Sequence, residues 1–303
     1  MMEAVIVNQI TKTYGREKKT AVNNVSFSVN HGEIFGLIGP DGAGKTSLFR
    51  VMTTLLLPDS GTVMLNGFDV VKDFRVLRKR IGYMPGKFSL YEDLTVIENL
   101  TFFATLFGTT LTENYNLIKE IYIQIEPFKD RRAGKLSGGM KQKLALCCAL
   151  IHKPSILFLD EPTTGVDPVS RKEFWEMLKR LKEQEITIIV STPYMDEANL
   201  CDRIALIQEG NILSIDTPQH IINNYPQPLF AVKAGNMHQL LQLLKAYPQR
   251  RESYAFGEFA HFSFKGKPDP VHLNQFLVGS GLIAVEIKET EVTIEDSFIN
   301  LLS

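Results

Sequence analysis

Three short motifs, in a fixed order along the chain, constrain the fold more than any other feature of this sequence. The first is rich in glycine, the second joins a serine to two glycines, and the third is an acidic pair. In chain order they are Gly39-Pro40-Asp41-Gly42-Ala43-Gly44-Lys45-Thr46, Leu136-Ser137-Gly138-Gly139-Met140-Lys141-Gln142 and Asp160-Glu161. Their setting among apolar runs and helix-compatible stretches predicts an α/β protein whose strand ends carry the chemistry.

The glycine-rich motif fits the pattern G-x-x-x-x-G-K-[ST], follows the apolar run 34–38 and opens a helix-compatible stretch, residues 45–54. Glycines let successive N–H groups face phosphate oxygens, Lys45 adds a cation at the outer phosphates, and the Thr46 hydroxyl can reach Mg²⁺. We therefore expect this phosphate-binding loop (P-loop), with the adjoining Ser47, to hold the triphosphate of a nucleotide. A glycine-rich turn between a strand and a helix is the alternative interpretation.

The acidic pair ends a second apolar run, residues 155–160, which reads as a buried strand. Parallel strands that are buried on both faces are continuously apolar, and ligand chemistry lies at their carboxyl ends. We expect Asp160 on the magnesium side of the site and Glu161 as the general base for the attacking water. A strand that ends in carboxylates argues against the simple-turn interpretation of the first motif.

The second motif is similar to the signature of the ATP-binding-cassette (ABC) ATPases. The resemblance implies that one subunit's P-loop and another subunit's signature sandwich the nucleotide. Ser137, Gly138 and Gly139 precede a predicted helix, residues 140–151, whose N–H groups and dipole suit an anion. An N-cap serine followed by flexible glycines would explain this stretch alone, but not its place between the other two motifs. The phosphate bound here would therefore be a partner's.

Other features of the ABC family match across residues 1–225. Tyr14 resembles the aromatic residue that stacks on adenine, and Asp167, in the segment 164–168, resembles the D-loop aspartate that lies against the opposite subunit. The resemblance implies ATP and Mg²⁺ as cofactors, ATP hydrolysis, a second ATPase subunit and membrane subunits of the ABC-2 type.

Two positions depart from the family pattern. The resemblance places a glutamine that touches magnesium and water at position 86, and a histidine that donates to the γ-phosphate at position 193; here they are Gly86 and Pro193. Proline has neither a side-chain donor nor a backbone N–H. We therefore expect the chain's own site to bind ATP well and to hydrolyse it poorly. Replacement of the missing group by Lys87 or by a shifted residue is the alternative.

The intact signature beside a depleted P-loop site predicts an asymmetric assembly. The pattern resembles the N-terminal ATPase half of tandem-ATPase multidrug exporters, which carries a similar glycine loop and also lacks the histidine. The resemblance favours a second, non-identical ATPase subunit, with a homodimer as the alternative.

Composition supports this class without defining the substrate. The 303 residues suffice for two cores, and 33 Lys and Arg against 34 Asp and Glu give no basic excess that would favour nucleic acid. Three cysteines do not make a disulfide framework.

No apolar run approaches the ~20 residues of a membrane helix, and residues 1–5 lack a signal peptide's features. We expect a cytoplasmic chain, peripheral on the inner face of the membrane, with the pore in separate subunits.

Two further regions carry predictions about architecture. Residues 95–129 read as helical, and in the family this subdomain receives a coupling helix from the membrane subunit. The candidates for that contact are Phe88, Leu90, Tyr91 and Leu94.

The prolines near 226–228 mark a domain boundary after residue 225. Beyond it, strands at 229–232, 254–256, 260–264 and 283–287 alternate with helices at 237–246 and 270–278, a pattern typical of a small, ferredoxin-like α+β domain. The closing residues 292–298 resemble the terminal motif of many exporter ATPases.

The sequence thus predicts a P-loop ABC ATPase core with antiparallel β and helical subdomains, residues 1–225, and a C-terminal α+β domain, residues 226–303. The predicted function is that of the ATP-binding subunit of an ABC exporter. A soluble ABC protein acting on ribosomes or DNA would usually show paired cassettes, a basic linker or a long coiled coil. A regulatory ATP-binding partner that never hydrolyses is a further alternative.

Overall fold

The computed structural model describes residues 3–226 and 228–302. It divides the chain into two compact units, Met1–Pro218 and Gln219–Ser303. This division precedes the predicted boundary after residue 225, because most of the helix Pro218–Asn223 groups with the second unit. Met1 and Met2 of the N-terminal segment and Gln227 of the proline-containing linker lie outside the described residues.

An antiparallel sheet forms one part of the first unit. Its strand order is β2-β1-β4-β5, with β1 Glu3–Tyr14, β2 Lys19–Asn30, β4 Ser60–Leu65 and β5 Phe68–Asp69. Apolar side chains on one face of β1 and β2 join the main core, because side chains alternate between the two faces of a strand.

A six-stranded sheet forms the centre of the first unit, in the order β10-β9-β3-β8-β7-β6. Its strands are β3 Ile34–Ile38, β6 Ile81–Met84, β7 Ile156–Asp160, β8 Thr187–Thr192, β9 Arg203–Gln208 and β10 Asn211–Asp216. Strands β3, β7 and β8 are buried throughout, and the pairs β9-β3, β3-β8, β8-β7 and β7-β6 are parallel. The sequence prediction of buried parallel strands is confirmed.

Helices flank these sheets. They are α1 Lys45–Met52, α2 Phe74–Leu77, α3 Val96–Leu106, α4 Tyr115–Tyr122, α5 Gly138–Leu150 and α6 Pro168–Glu183, with 3₁₀ turns at Glu126–Phe128, Ala133–Lys135 and Met195–Leu200. Helix α3 begins with a capping box, in which Thr95 and Glu98 exchange hydrogen bonds. Helix α1 is shorter than the predicted 45–54, because the chain adopts a left-handed conformation at Thr54, with φ of 64°.

Helix α1 is fixed against the central sheet by aromatic packing. Phe49 on α1 and Phe158 on β7 are fully buried, and their rings meet edge to face with centroids 6.0 Å apart. The element that follows the glycine-rich loop is thereby fixed to the strand that ends in Asp160.

The second unit has the ferredoxin-like pattern βαββαβ that the sequence predicts. Its elements, after α7 Pro218–Asn223, are β11 Leu229–Lys233, α8 Met237–Ala246, β12 Arg250–Phe256, β13 Phe259–Phe264, α9 Pro270–Gly279, β14 Glu286–Thr290 and α10 Ile294–Leu301. The sheet is antiparallel with the order β12-β13-β11-β14. The predicted last strand, 283–287, is wrong by three residues, because Gly281 and Ala284 have positive φ and the chain turns there first.

The closing helix α10 is pinned to the sheet by one carboxylate. Asp296 is fully buried and lies 2.6 Å from both the Tyr254 hydroxyl and His261 Nδ1, while Thr293 donates to its other oxygen. Burial alone would raise the pKa of Asp296, but hydrogen bonds from His261, Thr293 and Tyr254 hold it below its ordinary value. The terminal segment 292–298 therefore includes a specific anchor.

Candidate functional site

The carboxyl ends of four parallel strands lie side by side in the central sheet. We call this row the phosphate edge. The residues that follow these strands are Gly39 after β3, Pro193 after β8, Glu161 after β7 and Pro85-Gly86 after β6. Because the strands are parallel and adjacent, the fold gathers residues that are up to 154 positions apart in the sequence, from 39 to 193.

The glycines of the P-loop are required by close backbone approach. A Cβ at Gly39 would lie 2.2 Å from the carbonyl oxygen of Ile207, and one at Gly44 would lie 2.1 Å from that of Ala21. Gly42 and Gly44 also have positive φ, which L side chains rarely adopt. Within the loop, the Ala43 N–H donates to the Pro40 carbonyl, while Asp41 and Gly42 are exposed. The loop is therefore held in one shape by its neighbours.

The loop leads into α1, whose first turn presents free donors. Gly44 is the N-cap residue, and no side chain of the described residues caps the helix there. Uncapped N–H groups and the helix dipole make this end of α1 suitable for an anion. Thr46 and Ser47 are half-buried at the same place.

Lys45 is buried and fully engaged. Its Nζ donates to the carbonyl oxygens of Gly39 at 2.8 Å and Pro40 at 3.0 Å, and forms an ion pair with Glu161 Oε1 at 3.1 Å. The side chain of Lys45 is 3% exposed. The structure thus brings together the predicted phosphate cation and the predicted general base, in direct contact with each other.

The acidic pair is tied to the neighbouring strand through a serine. Ser191 on β8 donates to Asp160 Oδ1 at 2.5 Å, and its carbonyl and hydroxyl oxygens both accept from the Glu161 N–H at 3.0 Å. Glu161 has φ of 51°, a left-handed conformation that this clamp stabilises. Burial, and then the charge of Asp160, raise the pKa of Tyr83 to about 12.

The two departures from the family pattern both lie at the phosphate edge. A Cβ at Gly86 would lie 3.0 Å from the carbonyl oxygen of Asp160, so a larger residue here would need the end of β7 to shift by a few tenths of an ångström. Lys87, the alternative donor, is exposed. Pro193 follows Thr192, whose carbonyl accepts from the Gly39 N–H at 3.2 Å. Neither position offers a side-chain donor toward the P-loop.

Tyr14 is placed next to the P-loop helix. Its hydroxyl donates to Ser47 Oγ at 3.2 Å, and its side chain is 41% exposed at the end of β1. Lys12 Nζ lies 5.9 Å from the ring centroid. The ring is therefore exposed beside the P-loop, and its stacking on adenine stays a prediction.

The signature lies on another surface, together with the D-loop segment. Ser137 is the N-cap of α5 and accepts from the Met140 N–H at 3.4 Å, so the helix begins at Gly138 and not at the predicted 140. A Cβ at Gly139 would lie 2.7 Å from Ser170 Oγ on α6, and one at Gly138 would lie 3.6 Å from the carbonyl of Gly165. We call the exposed surface formed by residues 137–139 and 164–167 the signature face.

Asp167 has a local structural role within the signature face. It is the N-cap of α6, and its Oδ1 accepts from the N–H groups of Val169 and Ser170. Hydrogen bonds from Ser170 make the largest contribution to lowering the pKa of Asp167, and the hydrogen bond from the Val169 N–H makes a smaller one. The carboxylate is exposed, so capping does not prevent it from facing a partner.

The residues present fit a magnesium nucleotide. The uncapped end of α1 and Lys45 suit phosphates, while the Thr46 hydroxyl and the Asp160 carboxylate are oxygen ligands of the kind that Mg²⁺ prefers. Among the described residues, no group of three His, Cys, Asp or Glu side chains could hold a metal by itself. Magnesium commonly binds through one or two protein groups and substrate phosphates, which is the set that this edge supplies.

Sequence reasoning missed the buried polar residues that support this edge. They are Thr163, Ser191 and Thr192, the half-buried Arg171, and Glu197, whose carboxylate links Thr163, Arg171 and Thr192. A partial signal was available, because the apolar run of β8 ends in two hydroxyl residues beside Pro193.

The fold and the phosphate edge define a P-loop nucleotide-binding protein of the cassette type. The ABC transporter family matches residues 22–164. Over 302 residues the chain is 35% identical to the Nod factor export ATP-binding protein I of Rhizobium sp. (strain N33), covering 98% of this chain and 96% of that protein. The chain therefore belongs to the ABC transporter family, among its ATP-binding proteins.

Other relatives have exporter names or solved structures. The chain is 39% identical, over its whole length, to the probable multidrug ABC transporter ATP-binding protein YbhF of Escherichia coli (strain K12), but it spans only 53% of that protein. The structure of cbiO1 from Clostridium perfringens, part of the cbiONQ complex, aligns with a TM-score of 0.66 and 25% identity, over 74% of this chain and 92% of that one. A dimeric post-hydrolysis cassette bound to ADP and Pi aligns with a TM-score of 0.64 and 26% identity, over 70% and 98%.

Among the described residues, no helix combines the length and the apolar character that crossing a membrane requires.

Proposed function

We propose that this chain is the ATP-binding subunit of an ABC exporter that binds Mg-ATP at its own P-loop, hydrolyses it slowly there, and completes a faster site on a second, non-identical ATPase subunit. One observation carries the proposal. The signature face is complete and exposed, whereas positions 86 and 193 of the phosphate edge present no side-chain donor. The exporter names of the relatives support the transport role.

At the P-loop, binding depends on groups that the chain supplies intact. The N–H groups of α1 and Lys45 would hold the phosphates, and Tyr14 would cover the base. Thr46 and Asp160 would hold Mg²⁺, which neutralises the charge that develops between the phosphates when it is bound. Lys45 must exchange its present acceptors for phosphate oxygens, because its three hydrogens already point to Gly39, Pro40 and Glu161.

Hydrolysis at this site competes with the ion pair between Glu161 and Lys45. Glu161 would accept a proton from water as a general base, yet one of its carboxylate oxygens is paired with the lysine. The absent donor at position 193 adds a further loss. Removing one oxyanion-type donor costs ~10²- to 10³-fold in rate, or about 3 to 4 kcal/mol. Strong binding with slow turnover follows.

The signature face would act on a partner's nucleotide. The exposed Ser137 hydroxyl and the N–H groups of Gly138 and Gly139 at the start of α5 would face the anion, while Ser137 caps the Met140 N–H, and Asp167 lies on the same surface. A second subunit that carries a histidine at the position of Pro193 would supply the rest. The dimeric relative bound to ADP and Pi gives a precedent for paired cassettes. A homodimer is the alternative assembly, and in it both sites would lack the donor.

A large groove is the candidate contact for the membrane subunits. It has a volume of about 980 Å³ and apolar walls that include Phe88, Leu90 and Phe107. Of the other two predicted contact residues, Tyr91 is 51% exposed and packs edge to face on Phe102, and Leu94 does not line the groove. We propose that the groove receives a helix of an ABC-2-type membrane subunit, which would place the chain on the inner face of the membrane.

One wall of this groove is basic. The cationic wall consists of Arg75, Arg78, Lys79 and Arg80. In the part of the chain that the structure describes, no member of this wall forms an ion pair. The arrangement suits an apolar helix that carries carboxylates on one side.

Charge reversal in the cationic wall tests the membrane assignment. Arg75→Glu should reduce co-purification of the membrane subunits with the tagged chain by roughly tenfold, because attraction becomes repulsion at the docking surface. Lys179→Glu, on α6 and outside the groove, is the matched control and should retain them. Equal recovery of membrane subunits with both variants, measured by quantitative mass spectrometry after detergent extraction, would remove the groove from the proposal.

A further inference from the structure

A buried carboxylate links three segments that surround the phosphate edge. Glu197 is 2% exposed and lies in the 3₁₀ turn Met195–Leu200. Its Oε1 accepts from Thr163 Oγ1 at 2.8 Å and from the guanidinium of Arg171 at 3.0 and 3.1 Å, and its Oε2 accepts from Thr192 Oγ1 at 2.5 Å. We call these four residues the Glu197 hub.

Each partner in the hub belongs to a different element of the site. Thr163 lies in the loop that joins β7 to α6, and Arg171 lies in the first turns of α6, behind the cap of Asp167. Thr192 is the last residue of β8, next to Pro193. One carboxylate therefore joins the D-loop side to the strand end where the family histidine is missing.

The hub extends to both halves of the site through the backbone. The carbonyl of Thr192 accepts from the Gly39 N–H, the first residue of the P-loop, at 3.2 Å. On the other side, the Thr163 carbonyl accepts from the Val166 N–H, and the Glu161 carbonyl accepts from the Thr164 N–H, each at 3.2 Å. A continuous set of hydrogen bonds thus connects the P-loop to the D-loop segment.

The geometry of the hub indicates a positioning role. The Tyr194 ring lies 4.1 Å from the Arg171 guanidinium, which also contacts Asp196, so the cation is held in place from two sides. Trp175 and Leu200 line a small cavity of about 270 Å³ beside the hub. A buried charge that is paired and fully hydrogen-bonded rigidifies its surroundings, whereas a buried charge left without its partners is costly.

We propose that Glu197 is a positioning residue through which nucleotide at the P-loop sets the position of the D-loop segment, residues 164–168. The inference rests on the proposed nucleotide binding at this loop. Because position 193 carries no donor that could relay the state of the site, the connection runs through Thr192, Glu197 and Thr163. When nucleotide binds, the P-loop moves at Gly39, and the hydrogen bond from Gly39 to Thr192 displaces the end of β8. The Glu197 hub then moves the D-loop segment in the same step.

Hydrogen exchange in the full chain, with and without Mg-ATP, tests this connection. In the wild type, nucleotide should change exchange in peptides that cover residues 162–169 by roughly tenfold, the effect of one charge-assisted hydrogen bond. Thr163→Val preserves shape but removes the hydroxyl, and should lose that response while the ATP dissociation constant stays within about threefold. Thr163→Ser restores the hydroxyl and should restore the response.

A second variant addresses the case in which Thr163→Val fails to fold. Glu197→Gln removes the charge with little change in volume and should also uncouple the D-loop segment, whereas Glu176→Gln, an exposed change on α6, should not. A wild-type response that persists in Thr163→Val or in Glu197→Gln overturns the inference while leaving nucleotide binding intact. Absence of any response in a wild type that binds ATP overturns it as well. A wild type that does not bind ATP overturns the proposed function and the inference together.

Discussion

In the proposed function, the phosphate edge and the signature face would bind phosphate by different means. At the phosphate edge, binding would rely on backbone N–H groups, on a buried lysine, and on a loop whose glycines lie against neighbouring backbone carbonyls. Catalysis at the same edge would rely on side chains at strand ends, and two of those positions are Gly86 and Pro193. The signature face instead combines a serine N-cap and two glycines on an exposed helix end.

The difference shows how binding and hydrolysis can be separated within one fold. The P-loop is shaped by backbone packing, so replacing a side chain at the end of another strand, such as β8 or β6, leaves its form intact. A donor that acts on the transition state contributes little to ground-state binding. A subunit can therefore retain nucleotide, lose turnover and still present a complete surface to a partner.

The largest expected effect comes from blocking the signature face. Ser137→Arg should lower the ATPase rate of the reconstituted two-ATPase complex by roughly 100-fold or more, because a bulky cation replaces a group at the helix end that the partner's phosphate needs. Steady-state phosphate release measures it. Glu161→Gln should cost less than tenfold, since the water it would activate lies in a site that already lacks its donor.

The reverse order of these two losses would break the comparison. A larger loss from Glu161→Gln than from Ser137→Arg would mean that the chain's own site performs the hydrolysis. The interpretation of a degenerate phosphate edge would then be abandoned.

Removing the P-loop cation tests binding at the phosphate edge. Lys45→Ala should weaken Mg-ATP binding by roughly 10- to 100-fold, because charge-assisted hydrogen bonds contribute about 1.5 to 3 kcal/mol. Titration calorimetry gives the affinity. Lys143→Ala is the matched control, since Lys143 is also poorly exposed and forms one ion pair, with Glu173, away from the loop. Equal ATP affinity in the two variants would contradict the assignment of the P-loop.

Restoring a side-chain donor at position 193 should narrow the difference in ATP turnover between the chain's own site and the site that its signature face completes. Pro193→His places an imidazole at the end of β8, and we expect a gain of about tenfold in turnover at the chain's own site, less than the full donor effect because Gly86 is unchanged. The assay uses the complex with the Ser137→Arg substitution, so that only this site contributes. Pro193→Ala, which lacks a donor, should give no gain; a gain in both would point to relief of the proline and not to catalysis.

The smallest effect should follow from removing the second unit. We propose that the two units have separate cores, and a chain of residues 1–218 or 1–225 should bind ATP within about twofold of the full chain, because all nucleotide motifs lie in the first unit. Cooperative melting and calorimetry of both lengths check this. If only the longer chain is soluble, the sequence-based boundary at 225 is the better one; if neither is, the units share a core.

The sequence predicts the motifs and the order of elements because these depend on local pattern. Apolar runs that end in glycine or carboxylate identify β3 and β7, and strand and helix periodicity identifies the ferredoxin-like second unit. The contact between Lys45 and Glu161 could not be predicted in this way, since it joins side chains 116 positions apart, from 45 to 161, across three strands. Which acceptor a buried lysine chooses depends on the register of the folded sheet.

The same limit applies to Glu197 and to the last strand. Glu197 lies in a short acidic stretch that reads as a solvent-exposed turn, yet the fold buries it against Thr163 and Thr192. The strand after α9 begins later than the apolar run suggests, because a left-handed residue at Ala284 delays pairing. Local preference gives the type of element, and tertiary contacts set its limits and partners.

The sequence holds a single tryptophan, and the fold places it on α6 beside the cavity next to the Glu197 hub. Trp175 is 2% exposed. Light at the red edge of protein absorption excites tryptophan alone. The fluorescence then comes only from Trp175, and the second unit contributes none. The emission maximum and the quenching of the unlabelled chain therefore report how far water reaches the contact between α6 and the 3₁₀ turn Met195–Leu200, and how rigid that contact is.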